Sequence, residues 1–494
     1  MIGRSGGMAD APDSKSGTLK GVRVQVPPSV LSFYVVFWSL SLMKWKPKTC
    51  KVETLGCKVN QYESQYFREM LELNGVVEAL ADEKPDLCII NTCTVTHDAD
   101  AKGRTLIRKI HARNPNTKIL VTGCYAERDP KSIGNIDGVS SVIGNKEAFL
   151  LSLAEFGIDQ RPLNITRFDD HQRAFVKVQD GCLLNCSYCI IPSVRPALTS
   201  RKPELILAEI ADLQLSGYQE IVLTGIHLGH YGIDLSKGKA KNEWCRLWHL
   251  LEKISLKFPN LRIRLSSIEA AEARDDLIEV MKAHPLVAPH FHLCLQSGSD
   301  EILLQMRRRY TKQGFIDRCE RISIALDRPG FSTDIIIGFP GETDVDFEST
   351  CDLSQKIGFF KMHLFPYSPR EGTPAASLKD PVPAPVKLQR RKVLEQIEQE
   401  NLKKYQHRLL GIDEHILVES KSVKRPGWVE GTSSRGIRVM LPGMIEAIRR
   451  KMIPVKITGI YQGMLEAEPM PYQEADESIL GSEKQRMPLA LISL

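Results

Sequence analysis

The sequence predicts an α/β protein with three parts: an N-terminal βαβ domain with a parallel sheet, a central βα barrel, complete or partial, and a small C-terminal β-barrel. Over most of the chain, apolar runs alternate with helical stretches, which is typical of parallel sheets. After residue 408 the sequence instead contains short strand-like runs separated by turns. The 494 residues suffice for about three domains. A content of 42% apolar and 26% charged residues is ordinary for a globular protein.

The first 47 residues differ in composition from the rest of the chain, and we expect a non-native or disordered extension there. Residues 29–43 form an apolar run that is shorter than the roughly 18 to 20 residues needed to span a bilayer. No small-residue cleavage site comes after this run, so the sequence predicts neither a membrane anchor nor a signal peptide. Because Met43 leads directly into the first predicted strand, we expect translation to begin there and not at Met1.

Three cysteines of the N-terminal domain, residues 48–158, each follow a strand-like run. Cys57 comes after KVETLG, Cys93 after LCIINT and Cys124 after ILVTG, with helical stretches between them. Because the carboxyl ends of parallel strands meet at one edge of a sheet, these thiols can converge on one metal cluster. The alternative is that each cysteine is a packing residue at its strand end.

The central domain, residues 168–405, contains Cys182, Cys186 and Cys189 in a CxxxCxxC arrangement after the run AFVKVQ. Three thiolates at this spacing can hold three irons of a 4Fe-4S cluster and leave the fourth iron open to a cosubstrate. A structural zinc site or buried free thiols are the alternatives. Zinc sites of this type usually need a second cysteine pair or paired histidines, and the nearby sequence has no such pair.

Motifs around both cysteine sets resemble those of the radical S-adenosylmethionine (SAM) methylthiotransferases. They are LGCKVNQYES (55–64), NTCTVT (91–96), TGCYAE (122–127) and CLLNCSYCIIP (182–192), and the resemblance covers roughly residues 48–470. It implies two 4Fe-4S clusters. The cluster on Cys182, Cys186 and Cys189 would bind SAM and split it to a 5'-deoxyadenosyl radical, which makes these three cysteines catalytic. The other cluster would hold the sulfur that is transferred.

Further motifs of this family lie at the ends of the later strands: EIVLTGIHLGHYG (220–232), RLSSIEAAE (264–272), HLCLQSGSDEILLQMRRRYT (292–311) and TDIIIGFPGET (333–343). The resemblance implies that Gly225 meets the methionine part of SAM. It also makes five polar residues candidates for contact with the sugar, carboxylate or adenine of SAM: Ser267, Glu269, Gln296, Ser297 and Asp334. Each could instead be a turn residue or a satisfied structural polar group.

The residues after Cys57 indicate a branch of the family. Cys57-Lys-Val-Asn-Gln resembles the enzymes that methylthiolate N6-threonylcarbamoyladenosine beside the tRNA anticodon. The isopentenyladenosine enzymes typically have Cys-Gln-Met-Asn there, and the ribosomal-protein enzymes have Cys-Pro-Lys-Asn. The chain departs from the family pattern at Pro196, at Cys294 and at Ala270-Ala271. These departures affect the loops around the site and remove none of the cluster ligands.

Residues 408–470 resemble the TRAM domain, a small β-barrel of the oligonucleotide-binding kind. Between Lys421 and Lys456 the sequence has nine Lys or Arg residues against Glu430 and Glu446 only. This pattern can neutralise RNA phosphates, although a solvated charged face is the alternative. The tail, residues 471–494, carries no recognisable signal.

Together these features predict a cytoplasmic enzyme that replaces the C2 hydrogen of a modified adenosine with a methylthio group, with SAM as radical source and methyl donor. Twelve unevenly spaced cysteines without a secretory signal indicate a reducing compartment. The expected partners are the tRNA anticodon stem-loop, held by the basic segment 104–113 and the last domain, and an electron-transfer protein as reductant. No membrane or DNA partner is expected. The alternatives are methylthiolation of another tRNA adenosine or of a ribosomal-protein aspartate, and an iron-sulfur RNA-binding protein without catalysis.

Overall fold

A computed structural model of the protein describes residues 45–80, 82–169, 171–379 and 381–470. The described residues from Lys46 onward belong to one compact unit. The expectations for residues 1–44 and for the tail 471–494 lie outside the described part of the chain. None of the described helices is long and apolar enough to cross a membrane.

The N-terminal domain is a five-stranded parallel sheet of order β2-β1-β3-β4-β5. Its strands β1 to β5 are Thr49–Thr54, Val77–Glu78, Leu87–Thr92, Lys118–Gly123 and Val139–Val142. Its helices α1 to α5 are Lys58–Leu73, His97–Arg113, Cys124–Arg128, Pro130–Gly134 and Lys146–Ser152. Strand β3 is buried along its whole length because it lies in the middle of the sheet with helices on its faces. The predicted βαβ domain is therefore confirmed.

The central domain contains six parallel strands that succeed one another in chain order, β6, β8, β9, β10, β11 and β12. Strands β6 to β12 are Ala174–Asp180, Thr199–Ser200, Glu220–Gly225, Arg262–Leu265, His290–His292, Gly330–Ile337 and Lys361–Pro366, of which the short β7 runs antiparallel to β6. Isolated bridges connect β9 to the β10 segment and that segment to β11. Within the described residues no ladder joins β6 to β12, so the barrel is partial.

Helices cover the outside of this partial barrel. Helices α6 to α13 are Ile191–Val194, Pro203–Leu215, Leu247–Lys257, Asp275–Ala283, Asp300–Gln305, Lys312–Ala325, Asp344–Ile357 and Ala384–Arg408. Helix α12 has a complete start and stop signal, since Thr343 and Asp346 form a capping box and Gly358 ends the helix in a left-handed conformation. The largest apolar core of the protein lies between these helices and the strands. Each fully buried Leu or Ile there stabilises the fold by about 1.5 to 3 kcal/mol.

The C-terminal domain is a closed five-stranded barrel of order β13-β14-β15-β17-β16. Its strands β13 to β17 are Asp413–Lys421, Trp428–Ser433, Arg438–Pro442, Met452–Tyr461 and Met464–Pro469, and the short helix α14 is Ile445–Ile448. Closure leaves no free sheet edge. The small β-barrel that the short strand-like runs predict is therefore confirmed.

This closed barrel packs against the amino ends of the central strands. The Arg262 guanidinium donates to the His415 carbonyl at 2.7 Å, and Arg264 donates to the Ser433 carbonyl at 2.9 Å. Strand β11 begins at Gly330, which lies directly against the Arg435 carbonyl. A Cβ at Gly330 would lie only 2.3 Å from that oxygen. The N-terminal domain lies at the opposite, carboxyl ends of the strands, because α1 packs on β6 and Arg370 beyond β12 pairs with Asp100 of α2 at 2.6 Å.

Candidate active site and cluster-binding cysteines

Cys182, Cys186 and Cys189, here called the loop triad, lie in the loop after β6 at the carboxyl end of the partial barrel. Gly181 has φ +75°, and a Cβ there would lie 2.0 Å from the Ala197 carbonyl oxygen, so glycine is needed for the loop to return past its own start. Cys189 interacts electrostatically with both other cysteines, and Cys186 interacts with Cys182. The loop after β6 therefore holds the three thiols as neighbours.

Two cationic side chains approach the sulfurs of the loop triad. Arg308 Nη1 lies 3.4 Å from Cys186 Sγ, and His227 Nδ1 lies 3.5 Å from Cys182 Sγ. The other ring nitrogen of His227 contacts the Glu272 carboxylate. Burial lowers the pKa of His227, but its hydrogen bonds to Cys182 and Glu272 raise it overall, to about 9. Such N–H donors stabilise the negative charge on metal-bound thiolates.

Arg308 also brings a predicted SAM-binding residue to the loop triad. Its guanidinium pairs with the Glu269 carboxylate and donates from Nε to the Tyr310 hydroxyl at 3.1 Å. A small cavity of about 170 Å³ borders both Cys186 and Glu269. Glu269 therefore lies where a cosubstrate bound at the loop triad would meet it.

Cys57, Cys93 and Cys124, here called the sheet-edge triad, lie at the carboxyl ends of β1, β3 and β4. Gly56 has φ +109°, and a Cβ there would lie 2.9 Å from Cys93 Sγ, which puts the end of β1 directly against Cys93. Cys93 interacts electrostatically with both Cys57 and Cys124. The parallel sheet therefore brings together three cysteines that are far apart in the chain.

Arg195 connects the two triads. It lies after Cys189 in the same loop, and its Nε donates to Cys124 Sγ at 3.2 Å. The rest of the guanidinium is fixed by Glu63 at 2.8 Å and by Asp180 at 2.9 Å. This side chain therefore ties the loop that carries the loop triad to a sulfur of the sheet-edge triad.

Both donor sets fit iron-sulfur clusters. All twelve cysteines are free, and the six triad thiols need only lose their protons to become ligands. Burial raises the pKa of Cys189 to about 12 and that of Cys93 to about 11, so these two thiols carry their protons at neutral pH until a metal binds. Metal binding must therefore displace protons, and the nearby Arg and His donors compensate the charge that results.

Three of the other predicted SAM contacts, Gly225, Gln296 and Ser297, lie in tightly packed positions. Gly225 ends β8, and a Cβ there would lie 2.7 Å from Gln179 Oε1. Gln296 has φ +63° and donates its backbone N–H to the Asp334 carbonyl at 2.8 Å. Ser297 is fully buried, with its hydroxyl 3.5 Å from Thr350 of α12.

Asp334 and Ser267 lie towards the interior of the barrel. Asp334 pairs with His292 at 3.0 Å, and Cys294 Sγ lies 3.7 Å from the same carboxylate. The ligand atoms of His292, Cys294 and Asp334 all lie within 4.8 Å of one another. Ser267 lines a larger space, the lumen cavity, which has about 570 Å³ inside the partial barrel.

The basic residues of the C-terminal barrel are less available than their number predicts. Five of the nine have acidic partners: Lys421 with Glu446, Arg425 with Glu466, Arg435 with Glu414, Arg438 with Glu430 and Lys456 with Asp413. The other four, Lys424, Arg449, Arg450 and Lys451, form no ion pair with any described residue. Arg450 lies over the Tyr218 ring at 4.4 Å, and Arg449 lines the lumen cavity. Lys424 and Lys451 are therefore the two exposed cations of this set that neither form an ion pair with a described residue nor pack on Tyr218 or line the cavity.

Several contacts at the site cannot be predicted from sequence patterns. His227 and Arg308 stand inside the motifs EIVLTGIHLGHYG and MRRRYT, but no spacing rule connects them to the cysteines. In the sequence, Arg195 is notable only as the residue before Pro196. Lys58 is notable only as part of the motif that indicates the branch of the family. Lys58 nevertheless lines the lumen cavity. A search for hydrogen-bond donors within the motifs would have found His227 and Arg308.

Two family models match the chain. The model described as "Uncharacterized protein family UPF0004" matches residues 49–144, and the Radical SAM superfamily model matches residues 176–354. The first match covers the sheet-edge triad and the second covers the loop triad. These matches and this geometry define a radical SAM enzyme, which uses a 4Fe-4S cluster and SAM.

Curated relatives refine this class. "Threonylcarbamoyladenosine tRNA methylthiotransferase MtaB" of Chlamydia pneumoniae is 40% identical over 75% of this chain and 87% of its own length. The MtaB protein of Bacillus subtilis is 35% identical over 83% of this chain and 93% of its own. "tRNA-2-methylthio-N(6)-dimethylallyladenosine synthase" of Carboxydothermus hydrogenoformans is 34% identical over 83% and 97%. The chain belongs to the radical SAM methylthiotransferase family, and it is an enzyme of that class.

Proposed function

We propose that this enzyme attaches a methylthio group to C2 of N6-threonylcarbamoyladenosine next to the anticodon of tRNA. The observation that carries the proposal is the presence of two separate cysteine triads at the same end of one barrel, connected by Arg195. A second triad is what a sulfur-inserting radical SAM enzyme needs in addition to the first. The MtaB names of relatives at 35% and 40% identity support the choice of substrate.

In this proposal each triad holds a 4Fe-4S cluster. When bound, the clusters would supply the electron for the reductive cleavage of SAM and an open iron position for the sulfur. The chain contributes the surroundings. Arg308, His227 and Arg195 donate hydrogen bonds to cysteine sulfurs, and Glu269 is held by Arg308 beside Cys186. The N-terminal domain covers the carboxyl end of the barrel and keeps water from the reacting atoms.

The RNA is held outside the barrel. An anticodon loop presents unstacked bases that can enter a cleft without the melting of a helix. Helix α2 offers four exposed cations for the phosphates, namely Lys102, Arg108, Lys109 and Arg113. Lys424 and Lys451 offer two more on the C-terminal barrel, which in this proposal acts as a TRAM-type RNA-binding domain.

The proposal includes an electron-transfer protein as reductant and a cytoplasmic location. Reductive cleavage of SAM consumes an electron that none of the described side chains can supply. A reducing compartment agrees with the twelve free cysteines, of which six must remain reduced to bind metal.

A second candidate substrate is an adenosine with an isopentenyl (dimethylallyl) group. The relative from Carboxydothermus hydrogenoformans, whose name gives that substrate, covers the chain as fully as the MtaB protein of Bacillus subtilis does. The two substrates differ in charge, because the threonylcarbamoyl group ends in a carboxylate and the dimethylallyl group is neutral.

Mass spectrometry of tRNA nucleosides from cells with and without the gene tests the proposal. We expect 2-methylthio-N6-threonylcarbamoyladenosine to disappear without the gene and N6-threonylcarbamoyladenosine to accumulate. Loss of the methylthio-isopentenyl nucleoside instead would select the second candidate. If all tRNA nucleosides were unchanged, a protein substrate would replace RNA in the proposal. Failure of the anaerobically reconstituted protein to form 5'-deoxyadenosine from SAM and a reductant would indicate an iron-sulfur protein without catalysis.

A further inference from the structure

The lumen cavity has a strongly positive lining. Five Lys or Arg residues border it, Lys58, Arg173, Arg264, Lys361 and Arg449, against Glu419 as the one acidic residue of the lining. Its volume of about 570 Å³ is that of a typical small-molecule site. A cavity with this charge balance favours an anionic ligand group.

Three of these cations are already paired with carboxylates of the protein itself. Arg173 and Arg264 both pair with Glu220, at 3.3 and 3.0 Å, and Lys361 pairs with Glu398 at 2.8 Å. Their charges hold the fold together and leave little attraction for a ligand.

Lys58 and Arg449 are the two lining cations that form no ion pair with any described residue. Arg449 belongs to the C-terminal barrel and faces the Gln172 amide. Lys58 is an exposed residue at the start of α1, directly after Cys57. The acid that interacts electrostatically with Lys58 is Asp334, which is already paired with His292 at 3.0 Å. The Lys58 ammonium is therefore available to a ligand.

Lys58 lies where the N6 substituent of a bound base would be expected, because that substituent is close to the reacting atom C2. In adenine, C2 and the N6-bearing carbon flank the same ring nitrogen. Lys58 follows Cys57 of the sheet-edge triad directly in the chain and lines the lumen cavity, whose lining includes none of the six triad cysteines. A base whose C2 faces that triad would therefore carry its N6 substituent towards Lys58. A threonylcarbamoyl group would bring its carboxylate to the Lys58 ammonium. A dimethylallyl group would bring only methyl groups to it.

We propose that Lys58 is a specificity-determining residue that binds the carboxylate of the N6 substituent and so selects an acidic modified adenosine over a neutral one. This inference rests on the proposed function and adds to it the residue that recognises the substrate. The same residue attracts the acidic substituent and offers the neutral one no matching charge.

The test compares two synthetic anticodon stem-loop RNAs. One carries N6-threonylcarbamoyladenosine, and the other carries the same group with its carboxylate converted to the neutral carboxamide, which keeps the shape. We expect the full-length reconstituted enzyme to bind the acid about tenfold more tightly than the amide, a ratio within reach of a single ion pair. Lys58→Gln should bind both RNAs alike, and Lys58→Arg should keep the preference.

Lys51→Gln is the matched control, because Lys51 lies on β1 of the same domain and pairs with Glu78 at 3.4 Å, away from the cavity. It should behave like the unchanged protein. On the acid substrate, Lys58→Gln should raise KM with little change in kcat, as expected when binding and not chemistry is lost. Iron content of all variants, measured in parallel, should remain equal, since the change adds and removes no thiol.

Two results would overturn the inference. One is an equal affinity of the unchanged protein for acid and amide, and the other is an undiminished preference in Lys58→Gln. In both cases methylthio product on the acid RNA would leave the proposed function standing. If the unchanged protein binds and converts neither RNA, the proposed function itself fails, which is a distinguishable outcome.

Discussion

The two ends of the central barrel use charged and polar residues in opposite ways. At the carboxyl ends of the strands, six candidate cluster cysteines lie with their hydrogen-bond donors, five of the cysteines in loops and Cys124 at the first residue of α3. At the amino ends, the buried carboxylate of Glu220 pairs with Arg173, Arg262 and Arg264, and two of these arginines also donate to carbonyls of the C-terminal barrel. The difference teaches that the carboxyl end carries the chemistry and the amino end carries stability, as in other βα barrels.

Two triple Cys→Ala variants, one for each triad, should distinguish the roles of the two triads at the carboxyl end. We expect the largest effects from them. The unchanged reconstituted protein should hold about eight irons, and each triple Cys→Ala variant about four. Loss of Cys182, Cys186 and Cys189 should abolish 5'-deoxyadenosine formation. Loss of Cys57, Cys93 and Cys124 should abolish the methylthio product while SAM cleavage continues. An iron content that does not change in the second variant would disprove the second cluster.

Gly56→Ala should damage the sheet-edge triad alone. A Cβ at this position would lie 2.6 Å from Cys93 Cβ, in a backbone conformation with φ +109°. Such strain costs about 1 to 3 kcal/mol, which displaces Cys93 and should lower iron content and product without stopping SAM cleavage. Gly75→Ala is the control, since Gly75 has φ +76° but no atom near its Cβ position. It should lose stability and keep its iron, and equal iron loss in both variants would contradict the argument.

At the amino end, Glu220→Gln should cost about 3 kcal/mol of unfolding free energy, because it leaves the buried guanidinium groups of Arg262 and Arg264 without their carboxylate. Burial raises the pKa of Glu220, but the three arginines lower it overall, from 4.5 to about 2. Its stabilisation is therefore complete above pH 4.5 and is lost as the pH falls towards 2. Chemical denaturation at several pH values should find the largest difference from the unchanged protein near neutrality. Glu252→Gln, an exposed change on α8, should cost less than about 0.5 kcal/mol.

The smallest effect should come from the exposed lysines of the C-terminal barrel. Lys424→Glu combined with Lys451→Glu should weaken tRNA binding and reduce the slope of log K against log salt by about 1 to 2. SAM cleavage without tRNA should remain, because both residues lie on the C-terminal barrel and the loop triad lies at the opposite, carboxyl ends of the central strands. The double change Lys403→Glu and Lys404→Glu on α13 alters the charge equally and serves as the control. If both double variants bound tRNA equally well, the proposed RNA surface would be wrong.

The sequence predicted the carboxyl end better than the amino end, for a physical reason. CxxxCxxC is a local pattern, and LGC, NTC and TGC each mark a strand end, so strand order alone brings those cysteines together. The arginine contacts at the amino end join residues far apart in the chain, such as Arg264 and Ser433, and no periodicity reveals them. The same limit applies to the basic strip of residues 421–456, because ion pairs such as Arg435 with Glu414 depend on barrel closure.

The junction between the two barrels makes the central domain depend on the last one. Without residues 413–470, Arg262 and Arg264 would keep their positive charges but lose the carbonyl oxygens that they contact at His415 and Ser433. Removal of the last domain would therefore expose the amino end of the central barrel and leave two guanidinium groups short of acceptors, so a truncated chain should be less stable and not merely shorter.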